Sequence, residues 1–327
     1  MRISQRHVLK EAVNFGSTLV GWRDAVYVMQ NVTGCTNEEI LIGGDTLLRK
    51  EKLAEFKQKI KRLASGEPLQ YVLGKWDFCG IEFIVDKRAL IPRPETELLV
   101  EAVVDHVKGK QRLDILDVCT GSGCIGLSIA KLTEFRHNVV LADVSDQSLS
   151  LARENCLKVM PASTYKSLQE VRLSLRGARQ SLPRAKHGGS NPGMHSTTRD
   201  IDCIASLAMT QGISITKSNL LDEVSGEFDI IVSNPPYILS HEMETLPENV
   251  KNYEPHLALD GGEDGLDIYK RLIPQSYDKL KPGGALFLEI GSNKAKELMQ
   301  KHGFADTKIQ KDYAGIDRIL QGVKSNV

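Results

Sequence analysis

The stretch Leu113 to Ala130, LDILDVCTGSGCIGLSIA, decides how the chain is read. An apolar run of strand length ends in a turn with glycines at 121, 123 and 126, and an apolar stretch of helical length follows. Glycine lets such a turn adopt unusual dihedrals and lets a ligand approach the backbone, while the helix start behind it offers N–H groups. The alternation recurs in NVVLADV then DQSLSLARENCLKV, in FDIIVSN, and in GALFLEIG then NKAKELMQKHG. Strands alternating with helices predict an α/β, Rossmann-like domain: an open, mostly parallel sheet with helices on both faces. Ligands bind such sheets beyond the carboxyl ends of the strands, so those ends hold the candidate residues.

The 327 residues suffice for about two domains. Lys+Arg 42 balance Asp+Glu 42, so bulk charge gives no support for a nucleic-acid or membrane-surface protein. Six cysteines without a Cys-x-x-Cys pair predict neither a metal site nor a disulfide framework. With no secretory signal and no span-length apolar window, a cytoplasmic protein is expected, or one of a mitochondrial or plastid matrix if the source is eukaryotic. Apolar residues spaced by three and four, among them Phe56 and Ile60, predict a helical domain over 1–68. Residues 69–92 read as a hairpin-like connector and 93–327 as the α/β domain. Within the latter, 161–211 is far longer than an ordinary connection, and its first forty residues hold seven Lys/Arg against two Asp/Glu. It reads as a disordered insertion, with a basic contact element or a mis-joined gene segment as alternatives.

Three strand ends carry the candidate chemistry. Thr120, Gly121, Ser122 and Gly123 form the first, behind Asp117, and the Gly-x-Gly-x-x-Gly spacing of Gly121, Gly123 and Gly126 admits a dinucleotide. Asp143 ends the next strand, where a carboxylate can accept both ribose hydroxyls of NAD or of S-adenosylmethionine alike. The third end, VSNPPYI, separates these options. Asn234 offers a side-chain carbonyl, Pro235 a main-chain carbonyl with no N–H beside it, Pro236 stiffness, and Tyr237 an aromatic face. Two adjacent acceptors and a ring suit a planar NH₂ group, a methyl acceptor rather than a hydride acceptor.

Together with GEPLQYVLGKWDF, IPRPETELLVE, YEPHLALDGGEDGLDIYKRLI and LKPGGALFLEIG, these stretches resemble, in order, those of the HemK/PrmC-type release factor N5-glutamine methyltransferases. The resemblance implies a class I S-adenosylmethionine-dependent methyltransferase domain, with the N-terminal helices as its substrate-recognition domain. It implies methylation of the glutamine in the Gly-Gly-Gln motif of class I release factors, by a monomer needing neither membrane nor specific nucleic acid. It sets Asp117, Thr120, Gly121, Ser122, Gly123, Asp143 and Asn219 around the cofactor, together with Asn234. Asn219 stands where the family more often has Asp. Arg93 and Glu95 fall on the substrate side with Asn234, Pro235, Pro236 and Tyr237. Two other readings use the same residues: an adenine-N6 nucleic-acid methyltransferase, whose flipped base presents the same NH₂, and a non-catalytic cofactor-binding module.

Overall fold

The computed structural model describes residues 8–42, 46–161 and 212–325; the basic stretch singled out above lies, from 162, outside the described residues. The chain divides into two compact units. The first runs to Trp76 and takes in Val85–Lys87 and Glu244–Glu254; the second comprises the remainder.

In the first unit the three-and-four spacing becomes α1 (Leu9–Val20), α2 (Trp22–Thr33), α3 (Asn37–Ile42), α4 (Lys50–Ala64) and the short α5 (Leu69–Leu73). Leu53, Phe56 and Ile60 form the buried stripe of the otherwise charged α4 and share a core with Leu9, Val13 and Met29. Gly16 allows α1 close to α4, since a Cβ there would lie 2.8 Å from the Phe56 ring. The hairpin strands β1 (Lys75–Phe78) and β2 (Ile81–Ile84) follow; from Asp77 this segment belongs to the second unit, where Phe78, Ile81 and Phe83 are buried.

The second unit continues with α6 (Pro94–Val107), β3 (Asp114–Val118), α7 (Cys124–Leu132), β4 (Asn138–Asp143), α8 (Asp146–Val159) and β5 (Ile213–Lys217). Then come β6 (Phe228–Ser233), α9 (Asp267–Lys279), β7 (Leu280–Glu289), α10 (Lys294–Lys301), β8 (Phe304–Lys311) and β9 (Asp317–Lys324). The sheet order is β5-β4-β3-β6-β7-β9-β8, parallel from β5 to β7, with β9 antiparallel to both its neighbours. Successive strand residues feed opposite cores. Ile115, Val232 and Phe287 pack with Leu99 and Leu127, whereas Leu116, Ile231 and Leu286 pack with Tyr269, Leu272 and Met299.

Chain order places the site. From β3 the strands run outward to β5, and β6 then returns to the other flank of β3, which makes a switch point between β3 and β6. Val118 pairs with Ala142 on one side and Ser233 on the other, so the glycine turn, Asp143 and Asn234 emerge side by side. Among the described residues, no helix is long and apolar enough to cross a membrane, and no group of three or more His, Cys, Asp or Glu is set to hold a metal.

Candidate active site

The turn after β3 is built by left-handed backbone at Cys119 (φ 57°), Gly121 (φ 55°) and Gly123 (φ 82°). Thr120 N–H donates to the Ala142 carbonyl at 3.0 Å, Gly121 N–H to Asp143 Oδ2 at 2.8 Å, and Gly123 N–H back to the Thr120 carbonyl at 2.8 Å. The turn is thereby tied to β4, and the Gly121 amide serves the carboxylate beside it. Gly126 has a different duty: a Cβ there would stand 2.3 Å from Leu141 Cδ2, so its lack of a side chain lets α7 lie against β4.

Asp117 sits fully buried behind this turn. Its Oδ2 accepts from Thr120 Oγ1 at 2.5 Å and from the Gly126 N–H at 2.9 Å; its Oδ1 is buried without a partner, as is Ser122 Oγ. Burial pushes the Asp117 carboxyl up to about 7, against the pull of those two hydrogen bonds. Asp143 is also raised by burial; its Oδ1 accepts the Ser145 N–H at 2.9 Å, so each oxygen keeps capacity for a further donor. Asn155 on α8, not foreseen from the sequence, donates to the Ser122 carbonyl at 2.9 Å and the Ile84 carbonyl at 3.0 Å, fixing the turn from behind.

On the β6 side, Asn234 Nδ2 donates to Thr96 Oγ1 at 3.2 Å, and Thr96 Oγ1 donates to Glu289 Oε2 at 2.7 Å. The Tyr237 hydroxyl donates to the other Glu289 oxygen at 3.1 Å. Neither Thr96 nor Glu289 was singled out in the sequence, although both lie inside quoted stretches, IPRPETELLVE and LKPGGALFLEIG.

These elements surround a cavity of about 310 Å³. Of the expected cofactor residues, Thr120, Gly121, Ser122 and Asp143 line it, with Asn219 further along; Asn234, Pro236 and Arg93 also reach it. Asp117 and Gly123 lie outside this lining. The Tyr237 ring packs beside Gly291, where a Cβ would stand 2.5 Å from Cδ2, and its hydroxyl is held by Glu289. Pro235 is buried beside the cavity, and Glu95 is exposed in the first turn of α6, favourable for an acid at a helix start. Glu97 instead accepts the Cys79 N–H at 2.9 Å, holding the hairpin turn. The unpartnered oxygen of Ser122 and the spare capacity on Asp143, both in the lining, fit a cofactor that brings an ammonium group and ribose hydroxyls.

Family comparison extends over this architecture. The family model of the PrmC N-terminal domain matches residues 22–74, that of the ubiE/COQ5 methyltransferase family 96–176, and that of the Eco57I restriction-modification methylase 137–313. A release factor glutamine methyltransferase of Clostridium acetobutylicum is 35% identical over 266 residues, 80% of this chain and 76% of the relative. The chain belongs to the release factor glutamine methyltransferase family. Its Clostridium botulinum member is 33% identical over 323 residues, 97% of this chain and 95% of the relative. The Eco57I match spans the strand end that carries Asn234 and stops short of the N-terminal helices, which the release factor methyltransferases match together with the sheet. Membership brings with it the class I methyltransferase fold and S-adenosylmethionine, the cofactor that the donor and acceptor set around the cavity suits.

Proposed function

We infer that this enzyme transfers a methyl group from S-adenosylmethionine to the side-chain amide nitrogen of the glutamine in the Gly-Gly-Gln motif of class I release factors. The observation that carries the reading is Asn234, at the end of β6, lining the cavity with its NH₂ end held by Thr96. Bound S-adenosylmethionine supplies a methyl group on a sulfonium, a good leaving group. The obstacle is the nucleophile, because an amide nitrogen shares its lone pair with its carbonyl. Asn234 Oδ1 and the Pro235 carbonyl each accept one N–H of the glutamine amide, which orients the nitrogen and stabilises the positive charge growing on it. Neither acceptor has to change protonation state, and the released proton passes to water.

Thr120, Gly121, Ser122 and Asp143 hold the cofactor, with Asp117 and Gly123 shaping the turn from behind and Asn219 set for the adenine amino group. Arg93 serves the substrate side. Tyr237, its hydroxyl held by Glu289, offers its ring to wall the glutamine amide beside the Asn-Pro-Pro turn.

The purified protein is expected to transfer labelled methyl groups to a release factor bearing Gly-Gly-Gln, and not to the same factor with that glutamine changed to alanine. Equal labelling of both, or labelling of a DNA duplex included in parallel, would overturn the assignment. Asn234→Ala is expected to lower kcat by about 100-fold or more with cofactor affinity little changed, as loss of one preorganised polar group at a reacting centre does.

A further inference from the structure

Asn234 meets the protein interior through a short directional chain. Its Nδ2 donates to Thr96 Oγ1, which donates to Glu289 Oε2. Thr96 stands in the first turn of α6, Glu289 closes β7 and Asn234 follows β6, so three separate elements converge. Both inner members are buried, Thr96 at 3% and Glu289 at 2% exposure. The second Glu289 oxygen is taken by the Tyr237 hydroxyl, and Arg318 of β9, bonded to Asp312 at 3.1 Å, acts electrostatically on Glu289 from a further side.

Proton counting makes this chain one-way. Burial raises the Glu289 carboxyl, while the hydrogen bonds from Thr96 and Tyr237 and the charge of Arg318 oppose that rise and favour the ionised group. Ionised, it carries no proton and only accepts; a threonine hydroxyl carries one. Once the Thr96 proton is committed to Glu289, the Thr96 oxygen has only lone pairs to offer Asn234. The amide can then face it only with its NH₂ end. Turned over, Asn234 would set its oxygen against those lone pairs and present N–H groups to a substrate whose own reacting group is an NH₂. An amide alone does not choose between the two orientations, since they have nearly the same shape.

We propose that Thr96 and Glu289 are positioning residues whose hydrogen-bond polarity fixes the Asn234 amide with its oxygen toward the cavity, and so keeps it an acceptor for the substrate N–H. The proposal rests on the glutamine-methylation reading above. It differs from a packing role in depending on the hydroxyl and on the carboxylate, not on the volume they fill. Thr96→Val keeps the shape and removes the polarity; Thr96→Ser keeps the polarity and loses a methyl. Glu289→Gln keeps the shape but puts an NH₂ group where an acceptor-only group stood.

The test measures kcat and KM on the release factor, cofactor affinity by calorimetry and the unfolding midpoint for these three variants beside the unaltered protein. Thr96→Val and Glu289→Gln are expected to lower kcat about tenfold or more with cofactor Kd within about twofold, while Thr96→Ser stays within about threefold. Folded Thr96→Val and Glu289→Gln proteins with near-normal kcat would overturn the proposal. So would an equal loss in Thr96→Ser, which would point to packing, or a parallel loss of cofactor affinity, which would assign Thr96 to the cofactor pocket. If Thr96→Val fails to fold, Glu289→Gln against Thr96→Ser decides. An unaltered protein that leaves the Gly-Gly-Gln glutamine unmethylated sinks the functional reading itself, which separates that failure from a failure of this proposal.

Discussion

Asp117 lies behind the glycine turn with one oxygen bonded twice and the other unpartnered, and its burial raises the carboxyl from 3.8 to about 7. A carboxyl that holds its proton more tightly folded than unfolded favours folding fully below the unfolded value, and that contribution is lost as pH rises through the folded one. The window here runs from 3.8 to about 7. Asp117→Asn is neutral throughout and keeps an oxygen for Thr120 and Gly126. In the cofactor-free protein its stability deficit should therefore shrink or reverse as pH rises from about 4 to about 7, and level off above that, as read from unfolding midpoints. A deficit independent of pH would contradict the raised carboxyl. At this scale much of the site was legible. Asn234, Asp143 and the turn were marked by residue type at strand ends, because glycine and proline act on the backbone locally. The bond of the Tyr237 hydroxyl to Glu289 was not, since it joins residues 52 apart.

The strand–turn–helix element from β3 to α7 shows one motif dividing its labour. Gly121 and Gly123 supply left-handed backbone, whereas Gly126 supplies room for Leu141 and sits 3.0 Å, by its absent Cβ, from Asp117 Oδ2. Alanine at a helix interior normally gains up to about 1 kcal/mol over glycine. Here overpacking opposes it, and Gly126→Ala is expected to destabilise by about 1–3 kcal/mol in a denaturant titration, with weaker cofactor binding as Asp117 is displaced. A stabilised variant would mean that α7 and β4 can separate without cost. The alternation of elements was readable because helical and strand periods are properties of neighbouring residues. That α8 would anchor the turn through Asn155 was not, because a buried asparagine in a helical stretch carries no mark of the carbonyls it will meet.

At the scale of the molecule, the two units have separate cores, and every residue lining the cavity belongs to the second. Phe56→Ala removes a fully buried ring from the first core and is expected to cost about 3–5 kcal/mol there. Cofactor affinity measured by calorimetry should stay within about twofold, because the first core shares no residue with the cavity lining and independent sites act additively. Loss of cofactor binding in step with the helical core would show that the units do not behave separately. The sequence by itself determined the helical and α/β portions, the strand ends that bear the site and the chemistry those residue types allow, because periodicity, glycine and proline constrain the chain over a few residues. Only the tertiary structure decided which side chains hold Asn234 in place. Thr96 lies 138 residues from Asn234 and 193 from Glu289, and hydrogen bonds across such separations exist only once the sheet and its helices have closed around them.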